Sequence, residues 1–168
     1  TGSSLIDMVD GMIKVSNDSD SGFFLNEFEQ LSSLLAQKRK DGSQVLLIGV
    51  TFALLDFAEQ HRIDFPDLIV METGGMKGRR KEITREELHQ LIKETISPKS
   101  ISSEYGMTEL MSQAYWSDGH FESPNHMKVL GRDITDPLNT NPTSRSVALN
   151  VIDLYNIDSC SFIATDDI

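Results

Sequence analysis

The chain has 168 residues, enough for one domain, and its 39% hydrophobic and 24% charged residues are ordinary for a globular protein. The net charge of −11 argues against a nucleic-acid-binding surface, because phosphate contacts need clustered Lys and Arg, and the basic run at 77–81 is short enough for a solvated loop. The single cysteine excludes an intrachain disulfide and fits a reducing cytoplasm, and no apolar run reaches the roughly 20 residues of a membrane span.

The first half of the chain alternates helix and strand patterns. Residues 25–40 have apolar side chains at helical spacing, which predicts an amphipathic helix that Asp41 and Gly42 end. The apolar run at 45–48 is typical of a strand buried on both faces, and Thr51 is predicted to cap the helix that follows.

The same alternation then repeats. Residues 68–71 predict a second buried strand, Thr84 and Glu87 form a capping-box pattern ahead of a second helix, and residues 100–104 predict a third strand. Strands that alternate with helices imply right-handed crossovers and a parallel sheet.

The last part of the chain has a different pattern. Residues 126–130, 147–154 and 161–165 look like strands with no helix between them. We therefore expect an α/β fold in which a parallel sheet is flanked by helices and followed by a β-rich C-terminal extension. The expected boundaries are a core at 1–115 and an extension at 116–168, both within a single fragment of one nucleotide-binding domain.

Two predicted strand exits carry residues suited to a ligand, since ligands of open parallel sheets bind beyond the carboxyl ends of the strands. The first exit holds Gly74 and Gly75, which let backbone approach a flat ring or a phosphate closely, although a tight turn would also need glycine. The second exit is the stretch YGMTE at 105–109, which is either a helix cap with an exposed acid or a nucleotide contact. The presence of both exits in one parallel sheet favours a ligand site.

The side chains at the second exit suit a nucleotide. Tyr105 has a planar face for stacking, Gly106 permits a sharp bend, and Thr108 is a hydroxyl donor near an expected helix start, where free N–H groups favour anions. Glu109 is a carboxylate that can hold Mg²⁺ beside phosphate oxygens. At the end of the chain, Asp167 either belongs to a turn or binds ribose hydroxyls, as acids at strand ends do elsewhere.

Three motifs in this order resemble a known family. Residues 105–109 match the YGxTE motif of the adenylate-forming superfamily, and 165–168 resemble its later TGD motif with Asp166 in place of the glycine. Residues 74–78, 104–115 and 151–154 closely resemble the acyl-protein synthetases of the LuxE type. The resemblance covers about Val45 to the end, and it implies part of the large N-terminal domain of an adenylate-forming enzyme.

The resemblance implies a role for each matched residue. Gly74 and Gly75 would lie against adenine, Tyr105 would stack on it with Gly106 alongside, and Asp167 would bind the ribose. Two further residues would serve catalysis: Thr108 would hydrogen-bond a phosphate and Glu109 would hold Mg²⁺. The cofactors would be ATP and Mg²⁺.

The implied reaction has two halves. A carboxylate, in LuxE-type synthetases that of a fatty acid, attacks the α-phosphorus of ATP to give an acyl-adenylate and pyrophosphate. A protein thiol then takes the acyl group, and AMP leaves. Two alternatives stay open: transfer to coenzyme A, as in the phenylacetate-CoA ligase branch, and a non-catalytic module that binds a nucleotide or a partner protein. The family's phosphate loop and lid lysine are not in these 168 residues, so we expect a piece of a longer protein that is inactive alone.

Three further features could have a functional role. Cys160 lies beside an apolar run and is expected to be buried. The aromatic segment at 116–121 is either the lining of an acyl pocket or a surface loop. The four histidines lack metal-ligand spacing and are expected to be surface or hydrogen-bonded residues.

Overall fold

The computed structural model describes residues 4–74, 83–136, 138–140 and 142–168. The chain divides into two compact units, Thr1–Glu104 and Tyr105–Ile168. Gly75 and the basic run at 77–81 lie outside the described residues, so the predictions made for them are not addressed by the structure.

Among its described residues, 4–74 and 83–104, the first unit contains four helices and three strands. In chain order they are α1 (Ser4–Ser16), α2 (Phe28–Lys40), β1 (Leu46–Val50), α3 (Thr51–Gln60), β2 (Ile69–Thr73), α4 (Arg85–Ile96) and β3 (Ser100–Tyr105). β2 pairs in parallel with both β1 and β3, with Gly49 opposite Glu72 and Thr73 opposite Glu104. The predicted parallel strands and the helices between them are therefore confirmed.

The core of the first unit lies between its helices and the parallel strands. Phe57 and Leu88 are each about 1% exposed, and Phe28 packs edge-on against Phe57 with 5.7 Å between ring centroids. The remaining buried apolar residues include Leu35, Leu55, Phe65, Leu68, Val70, Ile92 and Ile96. Burial of these side chains supplies the main favourable free energy for holding helices on the sheet.

Of the two helix caps predicted from the sequence, that of α4 is confirmed and that of α3 is wrong. The capping box of α4 is present: the Glu87 N–H donates to Thr84 Oγ1 at 3.1 Å, and the Thr84 N–H donates to Glu87 Oε2 at 2.8 Å. The predicted cap of α3 is wrong, because Val50 occupies the cap position and Thr51 uses its hydroxyl elsewhere. Helix α1 was not predicted from the sequence.

The second unit is built from antiparallel strands. They are β4 (Ala114–Ser117), β5 (His120–Glu122), β6 (Met127–Arg132), β7 (Ala148–Asp153) and β8 (Phe162–Ala164), with a 3-10 turn at Leu154–Asn156 after β7. β7 pairs with both β6 and β8, so the three predicted strands of the extension form one antiparallel sheet. The second unit has a buried apolar cluster formed by Leu110, Ala114, Met127 and Val151.

The structure shows an unpredicted hairpin in the second unit and corrects the expected burial of Cys160. The aromatic segment at 116–121 is part of a hairpin: Trp116 lies opposite Phe121, and Asp118 and Gly119 have φ of 47° and 91°, as a type I′ turn requires. Cys160 is exposed, because it lies in the connection before β8 and not inside a strand.

The fold is thus mixed α/β, with parallel and antiparallel strands and flanking helices, as expected at that level. None of the helices among the described residues is long and apolar enough to span a membrane.

Candidate functional site

Tyr105 and Asp167, two of the predicted nucleotide contacts, are joined directly in the second unit. The Tyr105 hydroxyl donates to Asp167 Oδ2 at 2.6 Å, although the two residues are 62 positions apart in sequence. Burial raises the pKa of the Tyr105 phenol, and the neighbouring Asp167 carboxylate raises it further. The phenol therefore stays protonated as a donor at neutral pH, and one Asp167 oxygen is committed to it.

The Tyr105 ring belongs to an aromatic cluster with the β4–β5 hairpin. Its centroid lies 6.0 Å from that of Phe121 at a tilt of 60°, and Phe121 lies edge-on to Trp116 at 5.3 Å. Aromatic pairs of this geometry restrict ring rotation. The side chain that the resemblance assigns to adenine is thus held at its hydroxyl and at its ring.

The backbone around Asp167 is held by the start of β7 and by Thr165. The Leu149 N–H donates to the Asp167 carbonyl at 3.0 Å, and the Asp167 N–H donates to Thr165 Oγ1 at 3.2 Å. Asp166, which stands where the family motif has glycine, is not among the residues with positive φ. An aspartate at this position therefore adopts ordinary backbone torsions without strain.

Thr108 and Glu109 lie in an exposed turn after β3. The Leu110 N–H donates to the Met107 carbonyl at 3.1 Å, which closes the turn. The helix start expected at Thr108 is wrong, so helix N-terminal amides are not available there for an anion. The exposed hydroxyl and carboxylate remain the groups that this turn presents.

Glu109 is an exposed carboxylate, the side-chain type that the sequence predicts as a magnesium ligand. Mg²⁺ beside a nucleotide is held by one or two carboxylates and by phosphate oxygens of the substrate. Among the described residues there is no cluster of three or more His, Cys, Asp or Glu side chains suited to a metal.

The buried side chains of Asp153 and Asn156 hydrogen-bond to the backbone of residues 109–112, at the end of the Thr108–Glu109 turn. The sequence predicted no role for these two residues. Asp153 is 0% exposed, and its carboxylate accepts from the N–H groups of Met111 at 3.1 Å and Ser112 at 2.8 Å. The sequence contains one signal for this role: Asp153 is an acid within the apolar strand pattern at 147–154. An acid buried with such a strand needs hydrogen-bond donors, so it indicates a contact with another segment.

Gly74 of the first unit lies at the end of β2 with φ of 68°, a left-handed conformation that favours glycine. Its carbonyl accepts from Thr51 Oγ1 at 2.6 Å, and the same hydroxyl lies 3.0 Å from Glu72 Oε2. Gly74 thus has the positive φ that the tight-turn alternative requires, and the Thr51 hydroxyl at the start of α3 holds its carbonyl.

Polar side chains also link the ends of the parallel strands in the first unit. Thr73 Oγ1 donates to Glu104 Oε2, and Ser103 Oγ lies 3.3 Å from His89 Nε2 on α4. Burial lowers the pKa of His89, with Arg85 acting in the same direction and Glu72 opposing it. These contacts fix the exits of β2 and β3.

No protein-family model matches this chain, and no curated protein sequence matches it significantly.

Proposed function

We propose that this chain supplies part of the ATP site of an adenylate-forming enzyme that activates a carboxylic acid, in this reading a fatty acid, and passes the acyl group to a protein thiol. The two units would belong to the N-terminal domain of such an enzyme. The observation that carries the proposal is the hydrogen bond between Tyr105 and Asp167. It joins two separate motifs whose assigned partners, adenine and ribose, are adjacent parts of one molecule.

The arrangement supports nucleotide binding in three ways. The Tyr105 ring is held against Phe121, so a base can stack with little loss of side-chain entropy. Asp167 has one oxygen bonded to Tyr105, which leaves the other to accept from a ribose hydroxyl. Thr108 and Glu109 are exposed on the turn that follows Tyr105 in sequence.

The chemistry assigned to these residues is positioning and charge neutralisation. Attack of a carboxylate on the α-phosphorus brings two anions together, so catalysis depends on orienting them and reducing their repulsion. Thr108 would donate to a phosphate oxygen, and Glu109 would hold Mg²⁺, which supplies positive charge beside the phosphates when bound.

The first prediction tests the activation step. Glu109→Ala and Glu109→Gln in the full-length protein should abolish ATP–pyrophosphate exchange in the presence of a fatty acid, because the exchange requires adenylate formation. Glu122→Gln is a matched control, since Glu122 is an exposed carboxylate on β5 that has no assigned role in the reaction. Exchange retained in both Glu109 variants would contradict the assignment.

The acyl acceptor is tested separately. Radiolabelled fatty acid and ATP should label a protein thiol, whereas coenzyme A as acceptor would give a soluble thioester. ATP binding with no exchange and no acyl transfer would replace the proposed enzyme with a non-catalytic nucleotide-binding module.

A further inference from the structure

Asp153 and Asn156 form a polar clamp on residues 109–112, the segment that contains Glu109. Asp153 ends β7 and Asn156 ends the 3-10 turn, and they are 0% and 5% exposed. Both side chains reach the backbone of a segment more than 40 positions earlier in the chain. Such buried polar groups persist only when their hydrogen bonds are satisfied.

The Asp153 carboxylate is fully used. It accepts four hydrogen bonds, from the N–H groups of Met111, Ser112 and Tyr155 and from the Ser112 hydroxyl. Burial raises the pKa of Asp153, but these donors outweigh burial and hold the pKa below its ordinary value. The group is therefore a charged acceptor at neutral pH, and charge-assisted hydrogen bonds are the stronger kind.

Asn156 uses both ends of its amide. Oδ1 accepts from the Met111 N–H at 2.8 Å, and Nδ2 donates to the Glu109 carbonyl at 2.6 Å and to Ser159 Oγ at 3.1 Å. An aspartate could not donate to the Glu109 carbonyl, and a leucine could make neither bond. The backbone of Glu109 is thus held on its carbonyl side while its side chain stays exposed.

We propose that Asp153 and Asn156 are positioning residues, which fix the direction in which Glu109 presents its carboxylate to the magnesium–nucleotide complex. This inference rests on the proposed function. Neither residue would touch ATP or the ion, because both are buried beneath the turn. Their effect would pass through the Glu109 carbonyl and the N–H groups of Met111 and Ser112.

The test compares Mg²⁺ dependence with nucleotide binding in the full-length protein. Asp153→Asn keeps the size of the side chain but places an amide donor among N–H groups, and it should raise the Mg²⁺ concentration for half-maximal ATP–pyrophosphate exchange by roughly tenfold or more. Saturating Mg²⁺ should restore most of the exchange. Affinity for AMP without Mg²⁺, which depends on Tyr105 and Asp167, should stay unchanged.

A matched control and a second variant keep the test decisive. Asp158→Asn makes the same charge change at an exposed position close to the clamp, and it should leave the Mg²⁺ dependence as in the wild type. Ser112→Ala removes one hydrogen bond to Asp153 and keeps the backbone bonds, so it should fold and shift the Mg²⁺ dependence less, in the same direction.

The outcomes separate the two proposals. A wild-type protein without exchange overturns the proposed function, and the positioning role falls with it. Wild-type exchange with an unchanged Mg²⁺ dependence in folded Asp153→Asn, or in Ser112→Ala where Asp153→Asn does not fold, overturns the positioning role alone. Equal loss of AMP affinity and Mg²⁺ affinity also overturns it, because that result indicates general destabilisation.

Discussion

Tyr105 and Asp167 illustrate how a site is prepared by contacts between its own residues. The hydroxyl of Tyr105 orients the Asp167 carboxylate, and Phe121 restricts the Tyr105 ring. Each group is thus placed without a ligand, which would lower the entropy cost of binding the proposed nucleotide. Two roles are proposed for Tyr105, since its ring would stack on the base and its hydroxyl would orient Asp167 for the ribose.

The second role can be tested with Tyr105→Phe, which keeps the ring and removes only the hydroxyl. We expect affinity for AMP to fall about fivefold, the effect of losing one hydrogen bond of about 1 kcal/mol. Trp116 is the only tryptophan of the 168 residues and contacts Phe121, so its fluorescence should report the titration.

The control for this substitution is Tyr155→Phe, since Tyr155 is 63% exposed and its ring stacks on His126. That variant should bind AMP as the wild type does. Equal AMP affinity in Tyr105→Phe and wild type would show that the hydroxyl does not orient Asp167 for ribose.

Among single residues, the sequence pointed to Tyr105 and Asp167 through motifs but could not show that they touch. A contact over 62 positions depends on how β7 and β8 pair, and residue patterns do not contain that pairing. The role of Asp153 cannot be read from the sequence for a related reason. Its donors are the backbone N–H groups of Met111 and Ser112, which are more than 40 positions away and which residue type does not reveal.

One helix start and one hairpin turn in this chain follow local rules, whereas the predicted cap of α3 does not. The Thr84–Glu87 capping box was readable because all its groups lie within four residues. The Asp118–Gly119 turn also depends only on neighbouring residues. Asp-Gly between two short strands is a strong hairpin signal, and here it joins the strands of Trp116 and Phe121. The predicted cap of α3 is wrong, since the Thr51 hydroxyl donates to the carbonyl of Gly74, directly after β2.

The end of α4 gives a prediction for stability. Ser97 follows the helix with φ of 50° and ψ of 49°, a left-handed conformation that costs a residue with a Cβ atom. Ser97→Gly should raise the free energy of unfolding by about 0.5 to 1 kcal/mol, since glycine adopts this conformation freely. Urea denaturation followed by circular dichroism would measure the change.

Ser97→Ala is the matched comparison, because alanine also lacks the hydroxyl but keeps the Cβ atom. It should not stabilise the protein. A gain in Ser97→Ala as large as that in Ser97→Gly would show that backbone strain is not the cause.

The two units are expected to differ in acid sensitivity, because their buried titratable groups differ. Burial lowers the pKa of His89 in the first unit, so the unfolded state binds a proton more readily than the folded state. The corresponding stability is present above the unfolded pKa of about 6.5 and is lost as the pH falls below it. Asp153 in the second unit loses its contribution only below about pH 4.

Thermal denaturation between about pH 7.5 and about pH 5 would test this difference. All four α-helices described lie in the first unit, so far-ultraviolet circular dichroism mainly follows that unit, whereas Trp116 fluorescence follows the second. The helix signal should lose thermal stability over this range, and His89→Gln should reduce the loss. His120→Gln, at an exposed position, should not, and an equal pH dependence in wild type and His89→Gln would refute the assignment.

The order of the helices and strands, except α1 and the β4–β5 hairpin, could be read from the sequence because periodicity, caps and turn residues act over a few positions. The same local patterns placed the parallel strands, the three antiparallel strands and the exits that carry the candidate residues. Burial of Asp153, exposure of Cys160 and the bond between Tyr105 and Asp167 could not be read in this way. They depend on which strands pair and which loops cover them, and long-range pairing is set by packing of the whole unit.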